Sequence, residues 1–371
     1  MKNKIWLSSP HMSGNETKYI DLAFKHNHVF PLGPNVEGLE SDIIDFTGSK
    51  ACTCLSSGTS AIHLALIMLG IKEGDEVICS SFTFSASANP ILYLKAIPVF
   101  VDSEKETWNM SPELLEIAIK DRIKNGKKPK AIILVHLYGM PADLDKIIDL
   151  AKRFDIPIIE DAAEALGSKY VGKCLGTFGD IGIFSFNGNK IITTSGGGAL
   201  VSNNKEYCER ALYLSTQARQ SFPYYHHVDV GYNYRMSNIS AGIGRGQMEV
   251  LENRVNKRRA IHKFYFDHFA DSPTISFLQE PNDKFYSNFW LTTIIIENKD
   301  IEKIRIQLEE KNIESRYLWK PMHLQPVFKD FPSYQNGVSE SLFKRGLCLP
   351  SSSNITDDEL NCVVEELKNL I

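Results

Sequence analysis

The sequence predicts an α/β fold, with a mostly parallel central sheet wrapped by helices and a smaller α+β unit toward the C-terminus. Three observations carry that prediction. From about residue 51 to residue 159, short apolar runs alternate with longer helical patterns. The short runs, such as Ala131-Ile132-Ile133-Leu134-Val135, are apolar at nearly every position, as strands covered on both faces must be. The residues with chemistry to offer (Ser57 to Ser60, Phe82 to Phe84, His136, Asp161 and Lys190) fall at or just after strand ends. On such sheets ligands bind beyond the carboxyl ends of the strands.

Taken in order, residues 1–35 form a polar arm with one helical pattern around Glu16 to Lys25, closed by the loop Phe30-Pro31-Leu32-Gly33-Pro34. A helix with Leu39, Ile43 and Phe46 on one face runs to Gly48. Strand Ala51–Leu55, the turn Ser56-Ser57-Gly58-Thr59-Ser60 and an apolar helix to Leu69 follow. Strands are then expected at Glu76–Cys79, Ile97–Val101, Ala131–Val135 and Ile156–Ile159, with helices at Ser85–Lys95, Pro112–Lys124 and Leu144–Phe154. The pattern from Glu206 to about Arg259 is helical, interrupted at Phe222–His227 and Gly231–Arg235, and a long helix spans Glu249–Phe269. Strand Trp290–Ile296 and helices at Ile301–Lys311, Ser341–Leu347 and Thr356–Leu370 complete the chain. The expected division is a large unit of residues 1–250, including the arm, and a small unit of residues 251–371.

Composition excludes several classes. A net charge of -4 gives no electrostatic reason for nucleic acid or an anionic membrane as partner. Seven cysteines, an odd number, point to free thiols in a reducing compartment. Cys52 and Cys54 have no second pair at zinc spacing and read as strand residues, so no metal is expected. The opening Met1–Leu7 is basic but turns polar at Ser8, and no run approaches a membrane span. A cytoplasmic protein is expected. Gly242-Ile243-Gly244-Arg245-Gly246 follows no predicted strand and is no dinucleotide fingerprint.

The helix start at Gly58, Thr59 and Ser60 offers free N–H groups and hydroxyls to an anion such as a phosphate, although a plain N-cap would have the same sequence. Phe84 could stack on a planar ring or simply pack. Asp161 could pair with a protonated ring nitrogen or cap the following Ala162-Ala163-Glu164. Lys190 sits in a small polar turn between apolar runs, ahead of Gly196-Gly197-Gly198, and could be a Schiff-base amine. Together these are a protein's contributions to pyridoxal phosphate chemistry.

The runs Ser57-Gly58-Thr59-Ser60-Ala61, Glu160-Asp161-Ala162-Ala163-Glu164, Phe184-Ser185-Phe186-Asn187-Gly188-Asn189-Lys190 and Gly231-Tyr232-Asn233-Tyr234-Arg235 resemble the DegT/DnrJ/EryC/StrS sugar aminotransferases, which are fold-type-I pyridoxal phosphate enzymes. The resemblance covers essentially the whole chain, and the Lys190 segment is similar to bacillosamine-pathway transaminases. It implies a large cofactor-binding domain with Lys190 as the catalytic amine, Asp161 on the pyridinium and Phe84 on the ring face. Glu164, where many relatives carry glutamine, is implied to lie near the ring. Gly58, Thr59, Ser60 and Ser185 are implied at the phosphate, which Asn233 reaches from the second subunit of a homodimer. The implied reaction transfers the amine of L-glutamate to a nucleotide-linked 4-keto-6-deoxy sugar. UDP-2-acetamido-2,6-dideoxy-4-keto-hexose is the first choice; a GDP-linked, perosamine-type sugar or a non-catalytic regulator is the alternative. Tyr317 departs from the proline common among close relatives.

Overall fold

The strand–helix alternation becomes an eight-stranded sheet in the computed structural model, which describes residues 4–371; the basic opening Met1-Lys2-Asn3 lies outside the described residues. Helices α1 (Glu16–Lys25) and α2 (Pro34–Thr47) precede β1 (Ala51–Leu55) and α3 (Gly58–Met68). Then come β2 (Glu76–Ser80), α4 (Asn89–Tyr93), β3 (Ile97–Val101), α5 (Pro112–Lys124), β4 (Ala131–Val135), α6 (Leu144–Phe154) and β5 (Ile158–Asp161). The short strands β6 (Lys169–Tyr170) and β7 (Lys173–Cys174) lead to β8 (Ile181–Ser185) and β9 (Gly198–Ser202). Helices α7 (Lys205–Ser215), α8 (Asn238–Met248) and α9 (Leu251–Phe269) follow. The C-terminal part holds β10 (Ile275–Phe277), β11 (Phe285–Tyr286), β12 (Thr292–Ile296), α10 (Ile301–Glu310), β13 (Arg316–Tyr317) and β14 (Ser333–Tyr334). It ends with α11 (Val338–Arg345), β15 (Gly346–Leu349) and α12 (Asp357–Leu370).

The large sheet runs β1-β9-β8-β5-β4-β2-β3-β14, and only β9 pairs antiparallel to its neighbours. Strand β4 shows why its residues are all apolar. Ile132 and Leu134 join the core that holds Leu115 and Ile119 of α5 and Ile147 of α6. Ala131 and Ile133 face the opposite core, with Leu64 and Leu66 of α3 and Leu214 of α7. Alternate side chains of a strand point to opposite faces, and each fully buried Ile or Leu contributes about 1.5–3 kcal/mol. A polar residue at any of these positions would have no water to turn to.

The small sheet, β10-β12-β15-β13, is antiparallel throughout and packs Ile294, Ile296, Leu347 and Leu349 against Val363 and Leu367 of α12. The C-terminal part also completes the large sheet, because β14 pairs with β3 through Ser333–Phe100 and Tyr334–Val101.

Three expected elements differ. The helix expected over Ser85–Lys95 breaks into a 3-10 turn, Ser85–Ser87, and the short α4, where Pro90 brings no N–H to donate. The helix expected over Ser341–Leu347 ends at Arg345, and Gly346 opens β15, a central strand of the small sheet. The stretch between α7 and α8 is irregular instead of helical. Among the described residues no helix is long and apolar enough to cross a membrane, no group of side chains is arranged to hold a metal ion, and all seven cysteines are free.

Candidate active site

The α3 start, the ends of β5 and β8, and loops from the C-terminal part enclose a cavity of about 510 Å3. At its floor lies the first turn of α3. Ser57 is extended, and its hydroxyl accepts from the Ser60 N–H at 3.0 Å, while the Ser60 hydroxyl accepts from the Ser57 N–H at 3.1 Å. That reciprocal cap leaves the N–H groups of Gly58 and Thr59 without intrahelical acceptors, and both residues line the cavity. A helix start of this kind favours an anion. The backbone of β9 presses directly behind it: a Cβ on Gly198 would collide with the backbone of Ser57 and Gly58. The glycine at this end of the triplet is therefore a requirement of close approach.

Strand β5 ends in two carboxylates that point to opposite faces. Asp161 lines the cavity. Its Oδ2 accepts from the Ser87 hydroxyl at 2.6 Å and its Oδ1 from the Ala163 N–H at 3.2 Å. Since Ser87 donates to Asp161, the 2.8 Å contact between Ser87 and Thr83 requires the Thr83 hydroxyl to donate. The broken helix at Ser85–Ser87 is what delivers Ser87 to this carboxylate. Glu160 is enclosed on the other face, and four donors fill its oxygens: the N–H groups of Gly176, Phe178 and Gly179, and His136 Nε2 at 3.0 Å. His136 Nδ1 accepts from the Ala142 N–H at 3.2 Å, so Nε2 carries the ring proton. Burial acts to raise the Glu160 pKa, but His136 and these amides overcome it and hold the carboxyl below its usual range.

Lys190 enters from the turn after β8. Its Nζ lies 3.6 Å from Glu164 Oε1 and 4.3 Å from the centre of the Trp290 ring, a cation–π contact. Glu164 is 6% exposed, and burial pushes its pKa up, with the Lys190 charge opposing. Its other oxygen accepts from the Tyr138 N–H at 2.7 Å. The Tyr138 ring lies parallel to Trp319 and nearly so to Trp290, each 6.4 Å away. Phe84 leans on Trp319 at 5.2 Å with half of its surface exposed.

The structure thus brings Gly58, Thr59, Phe84, Asp161, Glu164, Ser185 and Lys190 into one cavity wall. It does not bring Ser60 there: its side chain is held in the cap, where the hydroxyl also donates to the Ser57 carbonyl at 2.8 Å. Asn233 stands apart on an exposed stretch that bridges to Thr216, away from this chain's own cavity. Sequence reasoning counted Ser57 among the residues at the strand end without giving it a role, and did not place Ser87, Trp290 and Arg316 in the wall. Ser57 had a signal, since the N-cap hydroxyl precedes the free N–H groups. Trp290 and Arg316 had none, because both come from loops and edges more than a hundred residues downstream of the strand ends.

An anion-accepting helix start, a buried carboxylate, an exposed aromatic face and an amine in one cavity fit a phosphorylated aromatic aldehyde. The sequence profile of the DegT/DnrJ/EryC1/StrS aminotransferase family matches residues 10–368. The chain is 52% identical to EpsN of Bacillus subtilis (strain 168), whose assignment as a pyridoxal phosphate-dependent aminotransferase is itself provisional; the match covers 100% of this chain and 96% of EpsN. It is 38% identical to a GDP-perosamine synthase of Escherichia coli O157:H7, over 96% of each chain. A crystal structure of a DegT DnrJ EryC1 StrS aminotransferase from Brucella abortus superposes with a TM-score of 0.90 at 30% identity, over 96% of this chain and 95% of that one. The chain belongs to the DegT/DnrJ/EryC1/StrS aminotransferase family, and its cofactor is pyridoxal phosphate.

Proposed function

We propose that this cavity transfers an amino group from L-glutamate to the 4-keto carbon of a nucleotide-linked 4-keto-6-deoxy sugar, most specifically a UDP-linked 2-acetamido sugar. The observation that carries the transamination reading is the Lys190 amine in one cavity with Asp161 and the α3 start. Lysine and aspartate are both retained, which argues against a non-catalytic regulator. The motif around Lys190 carries the choice of sugar.

The cofactor, when bound, supplies the electron sink that lets an amino group be carried from donor to acceptor. The Gly58 and Thr59 N–H groups, with the hydroxyls of Thr59 and Ser185, would hold its phosphate. Phe84 would cover one face of the ring. The Asp161 carboxylate, oriented by Ser87 and Ala163, would keep a proton on the ring nitrogen by opposite-charge stabilisation. Lys190 would anchor the group through Nζ and, once released, carry a proton at that atom between the amino-bearing carbon and the cofactor. Glu164 would steady the released ammonium from its 3.6 Å position. Trp290 and Trp319, which line the cavity, would exclude water. Asn233, exposed and outside its own cavity, is assigned to the cavity of a second subunit in a homodimer.

The GDP-perosamine synthases at 38% and 36% identity favour a second reading, a GDP-linked 4-keto-6-deoxy sugar. Incubating purified enzyme with glutamate and either keto sugar separates the two. Amino-sugar product from the UDP-N-acetyl substrate alone is the expected result; product from the GDP-linked sugar alone would transfer the assignment, and product from neither would overturn both.

A further inference from the structure

The peptide immediately ahead of Lys190 is gripped from outside the large sheet. Two donors converge on the Asn189 carbonyl oxygen: the Ser8 hydroxyl at 2.6 Å and the Trp290 indole N–H at 2.7 Å. A carbonyl has two lone pairs, so this acceptor is filled. Both donors trace back to one side chain. Arg258 on α9 donates through Nη2 to the Ser8 hydroxyl at 2.9 Å and through Nη1 to the Trp290 carbonyl. Ser8 therefore accepts from a guanidinium and donates to the carbonyl, and a charged donor polarises the hydroxyl it feeds.

Arg258 is an unusual residue to find in this place. It is 1% exposed, its Nε lacks a partner among the described residues, and both of its terminal nitrogens bind neutral oxygens instead of a carboxylate. Arg235, also buried, shows the ordinary solution, a pair of contacts to Glu40. Leaving a guanidinium without a counter-charge is costly. The contacts it makes all lead to the Lys190 turn. The same tryptophan that donates to Asn189 also lays its ring against Lys190 Nζ, so one side chain fixes both ends of the lysine.

We propose that Ser8, Arg258 and Trp290 form a single positioning clamp for Lys190. The N-terminal arm, α9 and the loop before β12 fix the Asn189 peptide so that the Lys190 amine is aimed before any cofactor binds. This rests on Lys190 being the cofactor-bonding lysine. Ser8 and Arg258 are positioning residues, acting on the lysine's direction through its backbone; Trp290 acts both on that backbone and directly on the amine, which its ring touches. The clamp should therefore govern how fast the lysine bonds to the cofactor, and its members outside the cavity wall, Ser8 and Arg258, should leave untouched how well the phosphate and ring are held.

The test separates those two quantities. Apoenzyme is mixed with pyridoxal phosphate, and covalent bonding is followed by its visible absorbance. The Lys190 amine adds to the aldehyde carbon, a carbon–nitrogen double bond forms, and the aldehyde oxygen leaves as water. Ser8→Ala, Trp290→Phe and Arg258→Lys are each expected to slow bonding about fivefold, the loss of one hydrogen bond. Trp290→Leu, which also removes the ring face, should slow it about a hundredfold. In a Lys190→Ala background, Ser8→Ala and Arg258→Lys, which lie outside the cavity wall, should leave non-covalent cofactor affinity within about twofold. Ser8→Ala, in the arm, keeps the test independent of whether a buried-arginine variant folds. Bonding at the unsubstituted rate in Ser8→Ala and both Trp290 variants would overturn the clamp alone. Equal losses in the Lys190→Ala background would also overturn it, by showing a merely structural role. No covalent bond at Lys190 in the unsubstituted chain would overturn the parent reading and the clamp with it.

Discussion

Glu160 and Asp161 are neighbours at the end of one strand, both buried, both carboxylates, and their surroundings are opposite. Glu160 is closed, with four donors filling its oxygens and a histidine whose other nitrogen is also engaged. Asp161 has two donors, and it faces the cavity. A carboxylate whose lone pairs are all met within the chain has nothing left to offer a ligand. One that is oriented by two hydrogen bonds yet faces open volume is set to receive a partner. Hydrogen-bond saturation, more than burial or charge, is what distinguishes these two acids.

Substitutions sharpen that division. Glu160→Ala should cost the apoprotein about 3–5 kcal/mol in denaturant unfolding, because it orphans His136 and three amides. Activity per folded molecule should hold. Asp161→Asn should do the reverse, lowering kcat about 10²–10³-fold, with apoprotein stability changed by less than about 1 kcal/mol. If both variants lost stability equally, the comparison would break.

Glu164 lies between the extremes, engaged on one oxygen by the Tyr138 N–H and open on the other toward Lys190. Its folded pKa is raised, so the native state holds the proton more tightly than the unfolded chain, and ionisation costs stability as pH rises above the ordinary carboxyl value. Glu164→Gln keeps the acceptor and removes the charge. It should slow turnover about tenfold and leave the apoprotein at least as stable at neutral pH, as thermal melts across pH would show.

Glu16 in the arm tests the closed class far from the site. Burial acts against its ionised form, but the Ser13 N–H, the Gln247 amide, Glu16's own N–H and the Ser13 hydroxyl outweigh that and bring its pKa down to about 2. A depressed folded value means stability that is full above the ordinary 4.5 and is lost as pH falls toward about 2. Glu16→Gln should therefore be destabilised by about 1–3 kcal/mol at neutral pH and converge with the parent near pH 2. A constant difference across that window would contradict the assignment.

Much of this was legible in the sequence, for physical reasons. All-apolar strands force a two-sided parallel sheet, and such a sheet puts Gly58, Thr59, Asp161 and Lys190 along one edge. Asp161 was named from the sequence, but the enclosure of Glu160 was not legible, because it depends on amides arriving from Gly176 to Gly179. Ser60 reads like Thr59 in the sequence, yet the capping box turns its hydroxyl inward. Trp290, which touches both the Lys190 amine and the peptide before it, comes from a distant segment with no local pattern to mark it. Local chemistry announces itself in sequence; partners supplied by tertiary contact do not.

The central claim is that the Lys190 amine, in the cavity with Asp161 and the α3 start, is where the cofactor is bonded. Reducing the holoenzyme with borohydride and mapping the modified peptide by mass spectrometry tests it most directly. A single pyridoxyl adduct on Lys190, absent from Lys190→Ala, is the expected result. An adduct on any other lysine, or none in cofactor-loaded protein, would contradict it.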